Sequence, residues 1–230
     1  MSTEGYLGPE LRIQFPPLDY TNKDQPVCAG GNLSPGILLS AYEQGLFPWY
    51  NPGDPILWWS PDPRFVLFPK NIHVGKRLIR YIRVGNFRIT INSNFPMVME
   101  SCKNTRLDHT WIQDEMVSAY CTLHSLGKAH SIEVWQEDRF VGGLYGILTR
   151  RVFSGESMVS LVPNASKIAL IALTQICNTI GIEVIDCQMK TPYLESMGGE
   201  FISRKDYIKA LSRVVETELP FPSGDWMLEI

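Results

Sequence analysis

The 230-residue sequence lacks the marks of several large protein classes. It has no CxxC pair. Its five cysteines, Cys28, Cys102, Cys121, Cys177 and Cys187, are scattered and odd in number, which argues against a disulfide framework and for reduced thiols in a cytoplasmic setting. It has no long apolar run: the most apolar stretch, Ile168 to Cys177, is broken by Thr174 and Gln175 and is too short to cross a bilayer. The opening MSTEGYLGPELR has neither a basic start nor an apolar segment, so no signal peptide is expected. His73, His109, His124 and His130 show no HxxxH or HxH spacing, and no Cys or Asp stands at ligand spacing, so no metal site is expected. Internal repeats and low-complexity tracts are also missing.

One more absence is local. Between Pro63 and Met99 there is no Asp or Glu, while Arg64, Lys70, Lys76, Arg77, Arg80, Arg83 and Arg88 supply seven bases. The rest of the chain carries 14 bases against 24 acids, so a net charge of −3 hides a concentrated basic segment. Such a segment suits an anionic partner bound at a defined place.

What is present reads as one large domain with a small N-terminal unit, residues 1–62 and 63–230. Residues 1–33 are rich in Pro and Gly and suit irregular backbone with short extended pieces. A helix follows with Ser34 as N-cap, Pro35 at its first position and Gly45 past its end. The stretch FPWYNPGDPILWWSPDPR holds three tryptophans among five prolines, so it suits a packed loop with a short strand near 56–59. RFVLFP and FRITINS read as strands. HVGKRLIRYIR, FPMVMESCKN and WIQDEMVSAYCTLHSLG read as helices. HSIEVWQ, RFVGGLYGI and RRVFSGESM form an antiparallel meander with turns at Glu137–Asp138 and near Thr149. Asn164 then opens a buried helix, ASKIALIALTQICNTIG. IEVIDCQ is a strand, and RKDYIKALSRVVE closes the domain. The class is α+β with a mixed sheet.

The chemistry concentrates at a few places. Alternation puts Asp186 and Gln188 on one face of a strand end, roughly 7 Å apart at Cα. They suit either a polar strand end emerging into solvent or a carboxylate and amide serving a reaction in a crevice. Cys187 points the other way and reads as a core cysteine. Glu156 sits in SGESM between Phe153 and Met158, so it either faces solvent on an edge strand or is buried and paired, able to hold an ammonium. Trp49 and Trp111 lie in or beside loops, where they could be structural or stack on a nucleobase. Lys76, Arg80 and Arg83 form a helical stripe with Arg77 beside it, either a solvated face or a nucleic-acid contact. The glycines of GGLYG precede no helix, so Gly142, Gly143 and Gly146 suit bends or close backbone approaches. LVPNASK does precede a helix but lacks the glycines of a pyrophosphate loop, which counts against an acyl-CoA enzyme.

In family order the blocks AYEQGLFPWY, WWSPDPR, LHSLGKAHSIEVW, VGGLYG, FSGESM, NASKIAL and IDCQ resemble the leucyl/phenylalanyl-tRNA–protein transferases, from about Ala41 to Tyr207. Two departures are Tyr193-Leu194, where the family often has His-Leu, and Val159, where a large residue often follows GESM. The resemblance implies an acetyltransferase-like (GNAT superfamily) main domain. It implies transfer of Leu or Phe, and less readily Met, from aminoacyl-tRNA to the N-terminal Arg or Lys of acceptor proteins, marking them for N-end-rule degradation. It assigns catalysis to Asp186 and Gln188. It assigns an aminoacyl pocket to Leu144, Phe153, Glu156, Met158 and Leu170, and adenosine stacking to Trp49 and Trp111. The basic helix bearing Lys76, Arg77, Arg80 and Arg83 acquires a tRNA backbone to bind. An aminoacyl ester is already activated, so no ATP, CoA or metal is required chemically. A cytoplasmic monomer is expected.

Overall fold

A computed structural model describes residues 5–20, 25–105, 110–213 and 220–230. His109 and the last three residues of the expected closing helix, 214–216, lie outside the described residues.

The N-terminal part contributes strand β1 (Cys28–Ala29), helix α1 (Pro35–Glu43), and strands β2 (Phe47–Pro48) and β3 (Leu57–Trp59). Pro35 starts α1 where its missing N–H costs nothing, and Gly45 turns the chain after it at φ +83°. The Ser34 hydroxyl accepts from the Leu7 amide instead of capping its own helix. The three strands form a small sheet in the order β1-β3-β2.

The remaining elements are β4 (Arg64–Leu67), α2 (Lys76–Val84), β5 (Phe87–Ile91), α3 (Phe95–Asn104), α4 (Asp114–Ser125), β6 (Ala129–Gln136), β7 (Arg139–Thr149), β8 (Val152–Ser160), α5 (Ala165–Ile180), β9 (Val184–Gln188), α6 (Pro192–Ser196), β10 (Glu200–Ile202), α7 (Arg204–Leu211) and β11 (Gly224–Trp226). Asn94 caps α3 by accepting from the Met97 amide. Asn164 precedes α5 in a left-handed conformation, φ +66°, and makes no side-chain cap.

Eight strands form one mixed sheet in the order β10-β4-β9-β8-β7-β6-β5-β11. The expected meander is β6-β7-β8, closed by the two-residue turns Glu137–Asp138 and Arg150–Arg151. Helix α5 then carries the chain across, so β9 lies parallel to β8 and antiparallel to β4. Helices cover both faces. Ile132, Val134 and Leu144 share a core with Ile168, Leu173 and Ile176 of α5. Residues of opposite parity, Ala129, Tyr145 and Ile147, pack with α1, α3 and α4. Each fully buried Leu or Ile here contributes about 1.5–3 kcal/mol. The GGLYG glycines admit close neighbours: a Cβ at Gly142 would stand 2.5 Å from the Cβ of Ala165, and one at Gly146 would stand 2.2 Å from the Ser154 carbonyl oxygen.

Candidate active site

Pairing between β8 and β9 lasts three residues, from Val152↔Val184 to Ser154↔Asp186, although both strands continue. Beyond that point the strands part. Each has a bulge at the parting. Tyr145 faces Ser157 and Gly146 faces Gly155, which leaves Glu156 as the extra residue of β8. Val66 faces Asp186 and Phe65 faces Gln188, which leaves Cys187 as the extra residue of β9. The gap opens into a cavity of about 600 Å³.

Simple alternation through Gln188 is therefore broken. Gln188 takes a left-handed conformation, φ +63°, and its own backbone amide donates to Asp186 Oδ1 at 2.9 Å. Asp186 is fully buried and accepts three further bonds. Arg64 grips it with Nε at 2.8 Å and Nη2 at 2.7 Å, and the Tyr207 hydroxyl donates at 2.8 Å. Phe47 and Tyr207 lie against the guanidinium at 4.8 and 4.5 Å from their ring centroids. All of this compensates an ion pair that burial alone would penalise.

Gln188 spends its side-chain amide on Glu156, with Nε2 donating to Oε1 at 2.8 Å. Glu156 is buried, not on a solvated edge. The Tyr120 hydroxyl reaches its Oε2 at 3.3 Å and stands 2.5 Å from the Tyr42 hydroxyl. Burial pushes the Glu156 carboxyl up to about 8; the Tyr42 and Tyr120 hydroxyls oppose that rise and the Asp186 charge adds to it. Cys187 lines the cavity, and burial raises its thiol well above the ordinary range, so it is not a ready nucleophile.

The cavity brings together most residues singled out in the sequence: Asp186, Gln188, Leu144, Glu156, Met158, Leu170, Trp49 and Trp111. One half is apolar, where Leu144, Met158, Leu170 and Ile185 join the α5 core. The other half is aromatic: Trp49 is 39% exposed with its ring 5.6 Å from Trp59, and Trp111 is packed on the opposite core. Phe153 is not part of it. Its ring is fully buried on the Phe221 ring at 5.7 Å, because it stands on β8 ahead of Gly155, where that strand begins to line the cavity. Lys76, Arg77, Arg80 and Arg83 are exposed along α2 and are not among the residues lining the cavity.

Sequence reasoning missed Arg64, Tyr207, Tyr42 and Tyr120. The acid-free segment counts Arg64 among its seven bases, yet it alone of the seven is buried. A signal did exist: an Arg inside the apolar strand RFVL must find a buried carboxylate. Among the described residues, no cluster of three His, Cys, Asp or Glu is placed to hold a metal ion, and no helix is long and apolar enough to cross a membrane.

Comparison with known proteins gives the geometry a family. The profile described as leucyl/phenylalanyl-tRNA protein transferase matches residues 66–212, and that of the N-terminal domain of the same transferase matches residues 31–62. A leucyl/phenylalanyl-tRNA–protein transferase from Nitrosospira multiformis is 50% identical over 206 residues, covering 87% of this chain and 88% of its own. Its counterpart from Pseudomonas entomophila is 47% identical over 216 residues, covering 92% and 94%. A solved C-terminal domain of a putative lysylphosphatidylglycerol synthetase from Agrobacterium fabrum covers 71% of this chain and 55% of its own at 14% identity, with a TM-score of 0.39.

Proposed function

The chain belongs to the leucyl/phenylalanyl-tRNA–protein transferases, and from that premise we propose that it moves leucine or phenylalanine, and methionine less readily, from tRNA to the N-terminal Arg or Lys of acceptor proteins. The product would be marked for N-end-rule degradation in the cytoplasm, and the enzyme would act as a monomer. The observation that carries this reading is the two-sided cavity at the parting of β8 and β9, apolar on one side and bearing tryptophans on the other, with Gln188 and Glu156 lining it as well. Leu144, Met158 and Leu170 would take the aminoacyl side chain. Trp49 and Trp111 would take the terminal adenosine, a stacking contact worth about 1–3 kcal/mol per base.

In this reaction the acceptor's α-amine attacks the ester carbonyl. The C–N bond forms, the ester C–O bond breaks, and the ribose oxygen leaves with the proton that the amine gives up. Asp186 has four donors and no exposure, so its role is to position: it fixes the amide of Gln188. Gln188 gives its N–H to Glu156 and accepts no bond at its side-chain oxygen among the described residues, so that oxygen is free to orient the attacking amine. Glu156 holds the α-amino group of the aminoacyl ester. The cations of α2 bind the tRNA backbone. The separateness of the small and large sheets supports a division into residues 1–62 and 63–230. The mixed sheet with its parting parallel pair supports an acetyltransferase-like (GNAT) second domain.

The test is incubation with radiolabelled Leu-tRNA and a peptide beginning with Arg, beside the same peptide beginning with Gly. Label should enter the Arg peptide alone. Equal labelling, or none, would remove the acceptor specificity or the reaction.

A further inference from the structure

The two tryptophans of the cavity stand on segments that folding brings together from far apart in the chain. Trp49 follows β2. Its amide donates to the Leu57 carbonyl at 2.9 Å and its carbonyl accepts from the Trp59 indole at 2.7 Å, so its backbone is tied to β3. Trp111 shortly precedes α4. A hydrogen bond joins these segments: the hydroxyl of Tyr50, next to Trp49, donates to Glu115 Oε1 in the first turn of α4. Tyr50 is buried in the core on which Trp111 packs, and Glu115 is exposed. A carboxylate suits that first turn, where helix N–H groups are unpaired, and bonds to carboxylates are among the stronger kinds. Burial first, and then the Glu115 carboxylate, push the Tyr50 phenol above its ordinary range, so it stays a donor. Neither residue is among those lining the cavity.

We propose that the Tyr50–Glu115 hydrogen bond is a clamp that sets the gap between Trp49 and Trp111 and thereby the affinity for the terminal adenosine. This rests on the reading that the two tryptophans take that nucleoside. Tyr50 and Glu115 are positioning residues, acting through the rings beside them. Trp49 is 39% exposed and is not among the residues packed on the core that holds Trp111, so packing alone does not fix one ring against the other. The clamp does, because little backbone separates it from either ring. The gap matters because stacking is a contact attraction: opening a contact by about 0.5–1 Å forfeits roughly a quarter to a half of its dispersion energy.

Transfer kinetics with full Leu-tRNA and with leucyl-adenosine test this. Tyr50→Phe keeps the ring and its packing, and Glu115→Ala alters an exposed side chain. Thermal unfolding of each variant separates loss of fold from loss of affinity. In either variant the KM for both substrates should rise about three- to tenfold while kcat is retained, because the bond shapes the binding site and touches no reacting atom. Glu115→Gln keeps an acceptor oxygen and should return most of the affinity. The double variant should be no worse than either single one, since both break the same bond. An unchanged KM in both single variants, a loss confined to kcat, or effects that add in the double variant overturn the proposal. If Trp49→Ala and Trp111→Ala leave the KM for leucyl-adenosine as it was, the adenosine assignment itself falls, and the clamp with it.

Discussion

At the residue scale, two buried acids do different work. Asp186 neutralises Arg64 and holds Gln188, so removing it has two consequences. Asp186→Ala should slow transfer at least tenfold with little change in tRNA affinity. It should also destabilise the protein by about 3–5 kcal/mol, because the Arg64 charge stays buried without its partner. The double variant Arg64→Met, Asp186→Leu removes both charges and should recover most of that stability in urea unfolding without restoring transfer. Recovery of both would make Asp186 a purely structural residue. Glu156 is the opposite case, an acid that burial keeps protonated: its pKa rises from 4.5 to about 8 on folding. The folded state then holds a proton that the unfolded state gives up. The resulting stability is full below pH 4.5 and is lost as pH rises through 8. Glu156→Gln has no such proton to lose. Its melting temperature relative to wild type should therefore climb between pH 5 and pH 8, by about 5 °C or more. A gap independent of pH would mean that Glu156 is charged throughout.

At the element scale, the sequence was most legible where local chemistry decides. Pro35 and Gly45 bracketed α1, and Glu137–Asp138 marked the β6-β7 turn, because helix starts, helix ends and turns depend on residues within reach of one another. The order of the sheet was not legible. Nothing in IEVIDCQ says that its strand lies between β8 and β4, since that placement depends on a crossover through α5 and on contacts far apart in sequence. Three-residue strands such as β10 and β11 are too short for a periodic signal. The bulges were invisible for a related reason. Strict alternation placed Asp186 with Gln188, and the family resemblance placed Phe153 in the pocket. The extra residues at Cys187 and Glu156 shift the register just where the strands part. Most of the site's membership could thus be read from residue type and family resemblance. Its geometry could not, because the candidate residues sit where the regular pattern fails.

At the scale of the whole molecule, the cavity and the basic helix are separate features that a tRNA would join. The four exposed cations of α2 lie outside the cavity, so they can act on the tRNA body without touching the reacting ester. Each phosphate neutralised releases counterions, so affinity for charged tRNA should fall steeply as salt rises, with a log–log slope of about −0.7 to −0.9 per contact. Replacing Lys76, Arg77, Arg80 and Arg83 by Glu should therefore raise the KM for Leu-tRNA and flatten that slope by about three or four, while kcat is retained. Aminoacyl-adenosine, which has no internucleotide phosphate, is the control. On the proposed reading it needs only the cavity with Trp49 and Trp111, so its transfer should be unchanged within about twofold in the same variant. Arg83 needs a separate arm, since it also donates to the backbone oxygen of Ile230 at 2.9 Å. Restoring Arg83 in the charge-reversed helix should return the C-terminal contact and only about a quarter of the salt dependence. If the minimal substrate loses as much activity as the full tRNA, α2 acts through the fold of the cavity and not through the nucleic-acid backbone.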